Sequence, residues 1–249
     1  MVMNPTRNRE GVLSREGDRR RSPLLTVCVL VATSAVSIVG FVYHRVLDAL
    51  EREPEVLARD EWWRLLTPLL VHDGGWPHLA ANAAALVVVG VSVERAFGRR
   101  LWLALYLAGG LAGELAGYAW QPRGAGNSVA VCGLAGGLLA ALLLGREAKV
   151  SAIGAVFVPY WVAALVAYAS DSLVVGVGLC ALVAPLGFLI ARNGLSRPLA
   201  VCVASAGLLG ALTLLALHDI HGPALLAGLS WARGCCGATP DGAAPVSAG

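Results

Sequence analysis

"NSVAVCGLAGGLLAALLLG", residues 127–145, decides how this chain is read. From position 128 onward it contains no charge and no alternation of polar with apolar positions. A segment apolar on every side is a helix enclosed by other helices or by lipid. The run opens with small residues around one reactive side chain, Cys132.

Comparable runs fall at about 24–43, 78–93, 101–120, 150–168, 173–191, 198–217 and 220–236, the last broken by Arg233. A bilayer crossing takes ~20 helical residues, so with 128–145 the chain offers about eight spans. Composition agrees: 57% of the 249 residues are hydrophobic and 14% charged, with a mean hydropathy of +0.69. A soluble domain could not clothe its surface from that balance. Barrel strands are excluded because the runs do not alternate. The expected fold is an all-α, polytopic transmembrane bundle.

Basic residues orient it. Cytoplasmic loops retain Arg and Lys, and starting from Arg19, Arg20 and Arg21, every second loop is basic: Arg95, Arg99 and Arg100; Arg146 and Lys149; Arg192 and Arg197; then Arg233. The intervening loops carry Asp73, residues 121–127, Asp171 and the His218–Asp219 pair. This predicts both termini in the cytoplasm, with residues 1–22 and 237–249 as disordered tails around a membrane domain at 23–236. The first run is too long for a cleaved signal. The long outer segment 44–77 places Trp62, Trp63, Leu65, Leu66 and Leu69 where an amphipathic piece would lie in the membrane interface. A net charge of +3 is too small to indicate a nucleic-acid partner. Arginine-rich composition with one lysine suggests a bacterial, GC-rich source.

The rare polar residues gather at one depth. His78 and Asn82 are one helical turn apart, about 6 Å along the axis. Cys132 lies one turn below the outer end of its span, with Ser128 one turn above it on the same face, and His221 opens the last span. Together they supply the parts of acyl transfer: a nucleophile, a base and oxyanion donors. A helix N-terminus favours a Cys132 thiolate while burial opposes it. Ser128 is a minor alternative nucleophile. A metal site built from His72, His78, His218 and His221 with Cys132, Asp73 and Asp219 matches no familiar ligand spacing, so no metal and no cofactor is expected. In "GGLAGELAG", Gly109, Gly113 and Gly117 form a face for close helix approach, with Glu114 turned into the bundle.

"WWRLLTPLLVHDGGWPHLAANAAALVVVGVSVERAFGRR", residues 62–100, resembles the rhomboid family of intramembrane serine proteases through Trp63–Arg64, the His-x-x-x-Asn pair His78 and Asn82, and Glu94 with Gly98. "NSVAVCGLAGG" resembles the family's Gly-x-Ser-Gly helix, with Ala130 at the first glycine, Cys132 at the serine and Gly133 at the last. "HGPALLAGL" resembles its last helix, with His221 as the histidine, Ala224 where a glycine is usual and Gly228 retained. The likeness covers about 61–145 and 218–232.

The resemblance implies a Cys132–His221 dyad, with His78 and Asn82 binding the oxyanion. It implies cleavage of transmembrane segments of membrane proteins from the extracytoplasmic side of the cell membrane. The alternative is a pseudoprotease that binds such helices without cutting them. The aromatic residue that the family often carries one turn after its nucleophile would fall on Gly136. Three spans separate Cys132 from His221 where the family's core has one, an even insertion that keeps both on one side.

Overall fold

The computed structural model describes residues 22–55 and 59–237. The tails expected at 1–22 and 237–249 lie outside the described residues, apart from Ser22 and Gly237. Helices occupy all eight apolar runs: α1 Leu24–Val42, α3 Gly75–Phe97, α4 Arg99–Trp120, α5 Ser128–Leu143, α6 Ala152–Ala169, α7 Leu173–Asn193, α8 Arg197–Ala216 and α9 His221–Gly237. A short helix, α2 His44–Leu50, lies between α1 and α3. Five of these, α1, α3, α6, α7 and α8, are long and apolar enough to cross a membrane. Among the described residues there is no strand.

Local chemistry sets the helix ends. Gly98 at φ 81° separates α3 from α4, and Gly145 at φ 74° and Gly194 at φ 75° follow the ends of α5 and α7; these left-handed turns are open to glycine without a Cβ clash. Ser151 and Ser172 cap α6 and α7 by accepting the N–H groups of Gly154 (3.0 Å) and Val175 (3.3 Å). Glu94 caps α1 from a distance, its carboxylate accepting the N–H groups of Leu25 (2.9 Å) and Thr26 (2.8 Å). That contact fixes the start of α1 beside the end of α3.

The core is α5, whose residues are buried from Ser128 to Leu142. It is gripped by α4 and α9 through glycines. A methyl group on Gly109 would collide with Gly133, one on Gly228 with the Gly133 carbonyl, and one on Gly136 with the Leu225 carbonyl. The three backbones therefore touch where side chains would normally hold helices ~8–10 Å apart. The expected packing face on α4 meets α5 at Gly109 and at Gly113, which receives Val129, whereas Gly117 receives the Arg52 guanidinium instead of a helix.

Between α5 and α9 run three helices, as the sequence predicts. Of these, α6 packs beside α3, where Ser151 Oγ meets Ser92 Oγ at 2.8 Å; α8 packs on α5 and α9. The outermost is α7, with Leu173, Val174 and Leu182 largely exposed, as a lipid-facing helix requires.

The glycine contacts give a direct contrast. Gly228→Ala is expected to destabilise the protein by about 1–3 kcal/mol through overpacking. Gly178→Ala, where a Cβ meets nothing within 4 Å, is expected to be neutral or stabilising, as helix propensity favours alanine. Thermal unfolding of the two variants in one detergent measures the difference.

Candidate active site

A cavity of about 460 Å³ opens at the end of the bundle where α4 ends and α3, α5 and α9 begin. Ser128, the first residue of α5, presents its hydroxyl there, and His221, the first of α9, presents its ring: Oγ and Nε2 are 2.8 Å apart. His221 Nδ1 lies 2.6 Å from Asp219 Oδ1. Both rest on the glycine contacts below, since α5 and α9 cross one to two turns deeper at Gly133 and Gly228.

The expected partnership of His221 with Cys132 is therefore corrected: its ring faces Ser128. Cys132 sits one turn deeper, fully buried, and does not line the cavity. The two positions share a helical face, and the end of α5 decides between them, because only its first turn reaches the cavity. The family pattern moves by one turn in consequence. Gly126, Asn127 and Ser128 then meet Gly-x-Ser, Val129 replaces the last glycine, and Cys132 takes the place usual for an aromatic residue.

His78 and Asn82 both line the cavity. Asn82 is 1% exposed, and neither its Oδ1 nor its Nδ2 has a partner. Leaving a buried amide unpaired costs about 1–3 kcal/mol, so such a group marks a binding position. Gly126 stands beside it; a Cβ there would come 3.0 Å from His78 Nε2 and 3.7 Å from Asn82 Nδ2. His78 Nδ1 lies 3.2 Å from the Gly74 nitrogen and 3.1 Å from Asp73 Oδ1, which leaves Nε2 toward the cavity. The first N–H groups of α5, Ser128 among them, have no intrahelical acceptor and add the positive end of the helix dipole.

The loops around the site are locked by buried charged side chains, of which sequence reasoning passed over Arg52. Arg52, 2% exposed, pairs with Glu114, 1% exposed, at 2.6 Å, and donates from Nε to the Gln121 carbonyl at 2.9 Å. Its backbone pairs with Gly124. Arg64 donates to the carbonyls of Asp48 (2.7 Å) and Glu51 (2.9 Å), so the motif arginine holds the outer segment as a folded unit while Trp63 stays exposed. Leu69, expected at the membrane interface, is instead buried against Gly110. The signal for Arg52 and Glu114 was their opposite charge beside a glycine face, which spacing alone could not pair.

Four groups here titrate away from their ordinary values. Burial, with the charges of Asp48 and Asp73 beside it, raises Glu51. Burial alone would raise Asp73 and Asp219, but hydrogen bonds, led by those from His78 and His221 respectively, hold both below the usual carboxylate range. Burial, aided by the neighbouring His78, lowers His72 to about 4; its neutral ring contacts Ser37 Oγ (2.9 Å) and Asn127 Oδ1 (3.3 Å).

Residues 59–181 match the family model of the Rhomboid domain. The chain carries a rhomboid domain. Rhomboid protease GluP of Bacillus subtilis (strain 168) is 42% identical over 104 residues, covering 41% of this chain and 20% of that protein. Rhomboid protease AarA of Providencia stuartii is 30% identical over 112 residues, 42% of this chain and 40% of AarA. RHOMBOID-like protein 5 of Arabidopsis thaliana is 38% identical over 99 residues, 40% of this chain and 31% of the relative. The chain thus spans between a fifth and two-fifths of the length of these relatives. The matched stretch holds His78, Asn82 and Ser128; His221 lies beyond it, joined to the rhomboid domain by packing. With its apolar helices, the chain is a multi-pass membrane protein.

Two outcomes test the electrostatics. Glu114→Ala strands a buried guanidinium and should cost about 3–5 kcal/mol, whereas replacing Arg52 and Glu114 together by Met and Leu should cost little; denaturation of the purified variants compares them. The His72 ring binds its proton more weakly folded than unfolded. Stability from this group is therefore complete above its unfolded value near 6.5 and declines as pH falls toward about 4. Unfolding midpoints across that window should fall in the parent and fall less in His72→Gln.

Proposed function

We propose that the chain is an intramembrane serine peptidase in which Ser128 and His221 cleave membrane-spanning segments of other proteins. One observation carries the reading: the Ser128–His221 hydrogen bond of 2.8 Å opens onto a cavity walled by an unpartnered, buried Asn82 amide. His221 takes the Ser128 proton through Nε2 as Oγ attacks a carbonyl carbon, and returns it to the leaving amine. Asn82 Nδ2, His78 Nε2 and the Ser128 N–H are the donors for the oxyanion, and each such donor is worth ~10²–10³ in rate. Water then releases the acyl group from Ser128 by the same proton path.

The cavity is bounded on one side by His78 and Asn82 of α3 and on another by Trp161 and Tyr168 of α6. An extended segment entering between these helices reaches Ser128 without crossing the bundle. Arg99, Arg146, Lys149, Arg192 and Arg197 lie toward the opposite helix ends, where Arg197 binds the Leu142 and Leu143 carbonyls. Positive charge favours the cytoplasm, so the cavity faces away from it in the cell membrane and both termini lie inside.

With the purified protein reconstituted beside a model membrane-segment substrate, Ser128→Ala and His221→Ala are each expected to lower cleavage by roughly 10³-fold or more. Cys132→Ala removes one buried sulfur and is expected to retain activity within about tenfold. Cleavage lost with Cys132→Ala and kept with Ser128→Ala would return the nucleophile to the cysteine. An inactive parent that still binds the segment would support helix binding without cleavage.

A further inference from the structure

We infer that Asp219 is a positioning residue that extends the Ser128–His221 pair to three members, resting on the peptidase reading above. The carboxylate is 1% exposed and sits in the turn 217–220 between α8 and α9. His218 adopts a left-handed conformation, φ 55°, and the chain reverses so that the Asp219 N–H donates to the Leu214 carbonyl at 2.9 Å. The side chain then reaches His221, the first residue of α9.

Both carboxylate oxygens are committed. Oδ1 accepts from the His221 ring at 2.6 Å and from the His221 backbone N–H at 2.9 Å. Oδ2 accepts from Gln121 Nε2 at 3.3 Å, and the Gln121 carbonyl is itself held by Arg52. An N-terminal helix cap alone would need only the backbone contact. The ring contact does more: a carboxylate at Nδ1 keeps the proton there and leaves the Nε2 lone pair directed at Ser128 Oγ. When Nε2 receives the hydroxyl proton, the resulting imidazolium faces a fixed negative charge. Asp219 itself stays ionised and touches no reacting atom.

The test uses the whole chain, reconstituted, with the membrane-segment substrate. Asp219→Asn is expected to lower kcat by roughly 10²- to 10⁴-fold while KM changes little. It should also move the acid limb of the kcat/KM profile down by about one unit, because an imidazolium without its carboxylate loses its proton more readily. The other groups facing the ring and cavity are unchanged in this variant: Glu114 with Arg52 from α4 and the outer segment, Asp73 and His78 from α3 and the turn before it, Arg123 from the loop before α5, and Tyr168 from α6. A shifted limb therefore reports Asp219.

Should Asp219→Asn fail to fold, judged by thermal unfolding, Gln121→Met decides: it frees Oδ2 and leaves the α9 cap intact, and is expected to lower kcat by roughly tenfold with a smaller shift of the limb in the same direction. A folded Asp219→Asn, or failing that a folded Gln121→Met, with parental kcat and an unmoved acid limb overturns the inference while Ser128-dependent cleavage leaves the peptidase reading standing. Cleavage indifferent to Ser128→Ala removes both.

Discussion

The approach of three backbones at Gly133 is the constraint on which the rest depends. Gly109 of α4 and Gly228 of α9 reach it from different sides, and Gly136 extends the contact toward Leu225. In lipid, apolar side chains gain little by leaving one hydrocarbon for another, so helices associate through close van der Waals contact of their backbones. Such contact is intolerant of a single added carbon, and so it fixes distance and rotation together. The outer ends of α4, α5 and α9 carry Gln121, Ser128 and His221. A hydrogen bond of 2.8 Å between side chains on two helices needs this rigidity, because a displacement of about 1 Å would break it.

Above that contact, polar groups replace packing as the means of holding elements in register. Arg52 is fully committed: its side chain pairs with Glu114, covers Gly117 and binds the Gln121 carbonyl, while its backbone meets Gly124. Gln121 passes the restraint on to Asp219. A continuous set of contacts thus runs from the segment between α1 and α3 to the His221 imidazole. Buried ion pairs seldom add much net stability, since desolvation offsets attraction. What this pair supplies is position, in a part of the molecule where loops rather than helices carry the load.

Much of this was legible from sequence because its causes are periodic. The eight apolar runs became eight helices, and the glycine face meets α5 at Gly109 and Gly113, with Glu114 turned inward. His78 and Asn82 share a turn and both reach the cavity. The residue that faces His221 was not legible, for the same periodic reason. Ser128 and Cys132 differ by one turn on one face, and a pattern that repeats each turn cannot say where the helix begins. Aligning the motif on Gly133 carried the serine position to Cys132; aligning it on Gly126 carries it to Ser128. Asp219 was hidden differently, since its contact with His221 depends on a left-handed His218, which no side-chain pattern announces.

The two departures from the family pattern in α5 are both matters of volume, and the structure accommodates each locally. Val129 stands where the pattern has a glycine, and a branched side chain in that first turn would ordinarily push α4 away. It does not, because it enters the space left open at Gly113, where an added methyl group would collide with the Val129 Cβ. The missing side chain at Gly113 makes room for the volume that Val129 adds. Cys132 makes the opposite change, placing a small side chain where the pattern usually has an aromatic ring against the histidine. The support such a ring would give His221 from below is missing, and Asp219 with Gln121 holds the imidazole from its other edge. A ring restrained by a charged hydrogen bond keeps its orientation without stacking, so Nε2 still aligns with Ser128 Oγ although position 132 is small.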